Sequence, residues 1–250
     1  MDITRKPFQG VLNILNFNRH FYYYGIAVLI AILGLLYFLN FPSIFSILII
    51  LGFAYGLLMP LIVSAYVYDF SHYYSLEWLE EFIKDSERPM KAANINAGFD
   101  ETSYLIKDKY KEADLSVFDF YDSSSHTEPA IIRARKVSLI YPNTQEISTD
   151  AIPLQDHSCD YVFLLSAAHE IRDFGEKVQF LKECKRICKA DGKIIMVEHL
   201  RDFPNFLAFT IGFNHFFSKK VWKNAFTAAG FTTIKEVKFT PFMSIFESKP

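Results

Sequence analysis

From Phe21 to Tyr68 the chain carries no Asp, Glu, Lys or Arg. A helix needs about 20 mostly apolar residues to cross about 30 Å of hydrocarbon, and this run holds two such lengths. NFPS (Asn40 to Ser43) interrupts it near the middle with turn residues, and Pro42 cannot continue a helix beyond its first turn. The sequence therefore predicts a transmembrane hairpin over 21–68, with helices at about 21–40 and 43–68. Pro60 is expected to kink the second helix, which membrane helices tolerate where neighbours satisfy the freed backbone groups. Phe21, Tyr22, Tyr23 and Tyr24 on one leg, with Tyr66 and Tyr68 on the other, form an interfacial belt at the open end. Helices of a soluble core seldom run so long without a charge. A cleaved leader would show one short apolar stretch, not two.

Arg5, Lys6 and Arg19 precede the first span, and the intervening turn is uncharged. The excess of basic residues places the N-terminus in the cytoplasm. Two spans return the chain to that side, so an inner-membrane protein with both termini cytoplasmic is expected. Residues 1–20 form a cytoplasmic or interfacial segment, in which 7–21 reads either as a surface-lying helix or as a plain lead-in. The net charge of −2 supplies no basic field, so nucleic acid is not an expected partner. Cys159, Cys184 and Cys188 are expected to be free thiols in a reducing compartment. Cys184 and Cys188 share a helix face but have no matching His or Cys pair, so they read as core residues.

Residues 69–90 are expected to form an amphipathic linker helix ended by Pro89. Beyond it, 91–250 alternates strand and helix, the pattern of a doubly wound, mostly parallel α/β sheet. Strands are expected at 92–97, 114–119, 145–148, 159–166, 193–198, 232–239 and 242–247. Helices are expected at 101–112, 128–139, 174–189 and 218–229. Only Thr240 and Pro241 separate the last two strands, too little for a crossover, so that pair must be antiparallel. Between the fifth strand and the last helix lies the aromatic segment FPNFLAFTIGFNHFF (203–217).

Ligands of open α/β sheets bind beyond the C-terminal ends of the strands. There stand Asn96, Ala97, Gly98 and Asp100 after the first strand, Asp119 and Phe120 at the second, Asp150 and Ala151 after the third, Ser166, His169 and Glu170 after the fourth, and Glu198 and His199 at the fifth. Gly98 can take a tight turn. A carboxylate ending the second strand, as Asp119 does, can accept both hydroxyls of a ribose. His169 reads either as a proton acceptor or as a local hydrogen-bond partner. Arg172 and Asp173, with Arg201 and Asp202, read either as two cross-bracing ion pairs at the rim or as offering Arg172 or Arg201 to hold an anionic acceptor. Arg133, Arg135 and Lys136 read as a solvated helix face within reach of anionic headgroups.

DAIPLQDHSCDYVFLLSAAHEI (150–171) and FLKECKRICKADGKIIMVEHLRD (180–202), with the terminal antiparallel hairpin, resemble the class I S-adenosylmethionine-dependent methyltransferases. The resemblance covers 91–250 and implies a seven-stranded Rossmann-like sheet with an antiparallel last strand, with S-adenosylmethionine as cofactor. By position it implies a cofactor turn over Asn96, Ala97, Gly98 and Asp100. It puts the ribose on Asp119 with Phe120 beside it, the adenine against Asp150 and Ala151, and the methyl and acceptor side at Ser166. His169, Glu170 and His199 are then the candidate catalytic residues. The family usually has an acid at 96 and glycines at 98, 100 and 102, whereas this chain has Asn96, Gly98, Asp100 and Thr102. Asp100 would repel the cofactor's carboxylate unless it, or Thr102, turns to cap the following helix.

These observations lead to a membrane-anchored methyltransferase acting on a lipid-like or small-molecule acceptor held by the bilayer. Segment 203–217 then either faces the membrane or forms a lid over the sheet. The alternatives are a methyltransferase-like binding or regulatory protein without cofactor, and a nicotinamide-dependent oxidoreductase. The missing G-x-G-x-x-G counts against the last.

Overall fold

The computed structural model describes residues 6–83 and 89–250. Arg5 and residues 84–88 of the expected linker helix lie outside the described residues. The sheet contains β1 (Lys91–Asn96), β2 (Asp114–Asp119), β3 (Gln145–Glu146), β4 (Cys159–Leu165), β5 (Cys188–His199), β6 (Thr233–Lys238) and β7 (Met243–Lys249). Its order is β3-β2-β1-β4-β5-β7-β6, and β7 alone runs antiparallel to both its neighbours. The seven strands of the sequence reading are present, with β3 cut to two residues.

Period-two alternation sorts the strand residues onto two faces. Val162, Leu164, Ile194, Met196 and Phe246 meet α6 (Phe174–Ile187) and α8 (Lys219–Ala228) on one face. Tyr161, Phe163, Leu165, Ile195, Val197 and Ile245 lie on the other. Asp173 caps α6 by accepting from Glu176 N, and Ser218 caps α8 by accepting from Val221 N. Cys159, Cys184 and Cys188 are free and buried in the first core.

The second face is covered largely by the linker, and here the expectation of one helix over 69–90 fails. A π-helical turn (Tyr66–Phe70) and two 3₁₀ turns (Tyr73–Ser75, Glu77–Glu81) replace it. His72 and Leu76 adopt left-handed backbone, which breaks an α-helical ladder. The reason is burial at irregular spacing: Val67, Tyr73, Leu76, Leu79 and Phe82 all pack on the sheet. Tyr73 and Trp78 lie parallel, 6.2 Å apart, and Trp78 Nε1 donates to Tyr73 O.

Three helices precede the linker: α1 (Gln9–Phe17), α2 (Arg19–Phe38) and α3 (Ser43–Ala65). α2 and the helical stretch Ser43–Ser75 are long and apolar enough to cross a membrane, with mean hydropathies of 2.0 and 2.4. They are almost wholly unburied, so their apolar surface calls for a cover that water does not give. α1 folds back against the linker. Asp69 accepts from Gly10 N and Val11 N, a cap supplied from a distant part of the chain. Segment 203–217, read from sequence without regular structure, forms α7 (Phe203–Phe209) and a 3₁₀ turn (Thr210–His215), with Asp202 capping α7.

Gly192 lies where β5 passes closest to β4. A Cβ there would sit 2.7 Å from the Asp160 carbonyl oxygen and 2.9 Å from the Cys188 sulfur. Gly192→Ala is therefore expected to destabilise the fold by about 1–3 kcal/mol, the usual cost of overpacking. Urea unfolding monitored by tryptophan fluorescence checks it.

Candidate functional site

β1 and β2 run in register to their ends, which sets Asn96 beside Asp119. After β1 the backbone turns sharply at Gly98, whose φ is +80°. Asn96 Oδ1 closes the turn by accepting from Gly98 N at 2.7 Å, while its buried Nδ2 has no hydrogen-bond partner. Asp119, 7 % exposed, uses Oδ1 to accept from Tyr121 N. Its Oδ2 takes a guanidinium hydrogen bond from Arg135 Nη1 at 2.5 Å. The same nitrogen donates to Ala97 O at 3.0 Å, and the guanidinium lies over the Tyr121 ring at 4.1 Å. Asn96, Ala97, Gly98 and Asp119 thus lie together at the strand ends, and Asp119 Oδ2 and Ala97 O converge on one cationic group.

Arg135 was legible only as part of a solvated helix face. It ends a short helix, α5 (Pro129–Arg135), and reaches back across the strand ends. A Cβ added at Gly98 would lie 1.5 Å from its Nη1, so the guanidinium fills the space that the missing side chain leaves. A cavity of about 100 Å³ beside this turn, lined by Phe99, Asp100, Glu101 and Ser138 among others, is too small for a nucleoside.

Asp100 does not face this group. Its Oδ1 accepts from Thr102 N and Ser103 N at the start of α4 (Ser103–Lys109), so the acid itself caps the helix. Burial raises the pKa of its carboxyl above the usual carboxylate range, against the opposing pull of its hydrogen bonds to Ser103 and Thr102. Phe120 points into the core against Phe180 and His126. Asp150 and Ala151 stand exposed beyond β3, the neighbour of β2. Ser166 follows β4, next to β1, and its hydroxyl pairs with Tyr73 of the linker at 3.1 Å.

α1 covers the turn from outside. Phe17 packs on Phe99, and Gln9 and Asn13 donate to Glu101. Arg133 donates to Phe17 O, tying α5 to the end of α1.

A second cluster stands at the ends of β4 and β5. His169 Nδ1 donates to Glu198 Oε2 at 2.7 Å, its backbone N–H donates to Glu198 Oε1, and its Nε2 lies 3.4 Å from Glu170 Oε1. Burial alone would lower the His169 pKa. The carboxylates of Glu198 and Glu170 outweigh it and raise the pKa to about 10. In this arrangement His169 is an imidazolium at neutral pH, its Nδ1 donating to Glu198 and its Nε2 facing Glu170. His215 stands beside it, ring centroids 5.0 Å apart, with its pKa pushed down to about 3 by burial and by the positive charges of His169 and Arg172.

The two Arg–Asp pairs are not ion pairs. Arg172 donates to the carbonyls of His169 and His215, and Arg201 to those of Phe216 and Asn214. Asp173 caps α6, and Asp202 caps α7 with Oδ1 while its Oδ2 pairs with Lys238 at 2.7 Å. Both guanidiniums therefore pin residues 214–216 to the strand ends.

His199 is separate. It follows Glu198 on the strand and so points to the other face. Its Nδ1 donates to Phe242 O and its Nε2 accepts from the Tyr68 hydroxyl, both at 2.9 Å, a tautomer assigned from these partners. Burial pushes its pKa down to about 4. With both nitrogens engaged, it joins the hairpin's end to the sheet. Glu198, His215 and Tyr68 were not legible as partners in the sequence, because each pairing joins residues of different elements.

Residues 109–196 match the family described as "Methyltransferase domain". The chain is also similar to solved structures. A SAM dependent methyltransferase from Aquifex aeolicus is 17% identical over 76% of this chain and 97% of that one, with a TM-score of 0.51. Human N-acetylserotonin methyltransferase in complex with SAM is 14% identical over 77% of this chain and 54% of that one, with a TM-score of 0.50. No curated protein matches the sequence. At such identities the likeness establishes the fold: residues 91–250 have the class I methyltransferase architecture.

The His199 pKa predicts acid sensitivity. An unfolded histidine takes up its proton near pH 6.5, whereas this one does so only near pH 4. Stability is thus lost as pH falls through that window, by up to about 3 kcal/mol from this residue. Thermal melts at pH 7 and pH 4.5 are expected to differ less in His199→Gln than in the parent.

Proposed function

We propose that the protein is an S-adenosylmethionine-dependent methyltransferase anchored in the membrane, with a lipid-like acceptor. The single observation that carries the reading is the convergence of Asp119 Oδ2 and Ala97 O at adjacent strand ends on one donor. Those acceptors suit a ligand that brings ribose hydroxyls and an ammonium group, and they suit it once Arg135 leaves. The unpartnered Asn96 Nδ2, and the cradle at Gly98 once Arg135 vacates it, fit the same ligand. The cofactor, when bound, supplies a methyl group on a cationic sulfonium.

The chain's own residues have three tasks. Asp119 orients the ribose, and Ala97 O with Asn96 Oδ1 receives the ammonium. Asp100 keeps its charge turned onto the N–H groups of α4, away from the cofactor's carboxylate. Residues from Ser166 onward line the acceptor side, where positioning in line with the sulfonium supplies much of the catalysis.

The membrane reading rests on α7. Tyr55, in the middle of α3, donates to Leu207 O at 2.6 Å. Tyr55 lies ten residues before the end of α3, about 15 Å along the helix. If α3 spans the bilayer, α7 is immersed beside it, and the exposed Phe203, Phe206, Leu207 and Ile211 meet acyl chains. An acceptor held in that leaflet would reach the ends of β4 and β5 along segment 203–217. Both termini are then cytoplasmic.

The Arg135 contact also favours one rival, a regulatory protein whose crevice is permanently closed. Calorimetric titration of the detergent-solubilised protein with S-adenosylmethionine separates the two. Saturable binding is expected, lost in Asp119→Ala. Arg135→Ala is expected to bind about tenfold more tightly, since the contact it removes is worth roughly 1–2 kcal/mol. Absence of binding in both the parent and Arg135→Ala would reject the methyltransferase reading. With binding established, a labelled methyl group is expected in the lipid extract of the membranes.

A further inference from the structure

Three residues at the β4 and β5 ends have a use that methyl transfer does not require of them. His169, Glu170 and His215 each offer a ligating atom, and the three atoms lie within 4.8 Å of one another. Two imidazoles and a carboxylate are a donor set suited to a first-row divalent transition ion such as zinc, with metal–ligand distances of about 2.0–2.2 Å. At those distances two ligand atoms on one ion stand up to about 4 Å apart, so the observed spacing closes with small side-chain movements.

Three independent features of the surroundings point the same way. First, Glu170 is 5 % exposed and its Oε2 has no hydrogen-bond partner. A buried carboxylate oxygen without a partner is costly, and a cation would satisfy it. Second, His169 is oriented as metal-binding histidines are. Its Nδ1 is held by the buried carboxylate of Glu198, which leaves Nε2 on the side of Glu170, where a metal ion would displace the Nε2 proton into solvent. Third, the nearby cations do not fill the space. Arg172 bridges the backbone carbonyls of His169 and His215, which fixes the two imidazole-bearing segments against each other. Lys177 is committed to Ile171 O and to the ring of Phe217.

We infer that His169, Glu170 and His215 form a binding site for a divalent transition-metal ion, with Glu198 as the carboxylate that positions His169. Three protein ligands leave coordination positions open, and the side chains of His169 and His215 are 16% and 28% exposed, so the open side is accessible. Because His215 ends the α7 segment, the ion would also fasten that segment to the strand ends. Its use in catalysis rests on the proposed function: a metal at this place would hold and polarise an oxygen of the acceptor.

The test needs no cofactor, so its failure is distinguishable from failure of the methyltransferase reading. Full-length protein without a polyhistidine tag is stripped with chelator and titrated with Co²⁺, whose visible absorption reports ligand number, and then with Zn²⁺ against a chromophoric chelator. One equivalent is expected to bind in the micromolar range or tighter. Glu170→Gln and His215→Asn are each expected to weaken it severely. Glu198→Gln is expected to weaken it by about 10–100-fold, while the Co²⁺ spectrum keeps its ligand set. His215 is partly exposed on a surface turn, so His215→Asn is the variant most certain to fold, and its melting profile checks that. Absence of a Co²⁺ spectrum at millimolar metal, or affinity unchanged in both Glu170→Gln and folded His215→Asn, would overturn the site.

Discussion

The structure turns on one buried carboxylate at a strand end. Asp119 closes β2 beside the Gly98 turn of β1, and the parallel register of the two strands makes them neighbours. A parallel pair delivers both C-terminal ends to the same edge, so the sheet alone gathers these acceptors. A carboxylate so placed must be partnered. In this chain the partner is Arg135, which donates to Asp119 and to the adjacent carbonyl together. The guanidinium thereby occupies the acceptors that the proposed function assigns to a ribose and an ammonium. Opening the crevice means exchanging an internal ion pair for a ligand's contacts. That exchange is near-balanced where neither side leaves a buried charge alone.

The hairpin and the domain are physically joined at that same edge. Asp69 caps α1, and α1 places Phe17 on Phe99 and its side-chain amides on Glu101. Tyr68 reaches His199, and Tyr55 reaches α7. The apolar helices are therefore not a tether on a loose linker. Their end is part of the second core, where Val63, Val67 and Tyr73 lie against the strands.

Much of this was legible before the structure. Short apolar runs bounded by turn residues located the seven strands, because inner strands buried on both faces read as near-continuous apolar runs that need no partner to be read. The capping role of Asp100 was legible too, since a cap is satisfied within three residues. What escaped was set by contacts across the chain. The linker looked like a helix from its apolar spacing, yet the sheet face demanded Tyr73 and Leu76 inward and forced left-handed backbone at His72 and Leu76. Arg135 looked solvated because its acceptors lie 16 and 38 residues earlier. The rim arginines and aspartates looked like cross-bracing ion pairs, whereas a helix start claimed each acid and residues 214–216 claimed each guanidinium.

The most direct measurement is a structure of the full-length protein determined with S-adenosylmethionine. The account predicts the cofactor's ribose hydroxyls on Asp119, its ammonium at Ala97 O, and the Arg135 guanidinium withdrawn from both. Arg135 still seated between Asp119 and Ala97, with the crevice shut and no nucleoside at the β1–β2 edge under saturating cofactor, would contradict it.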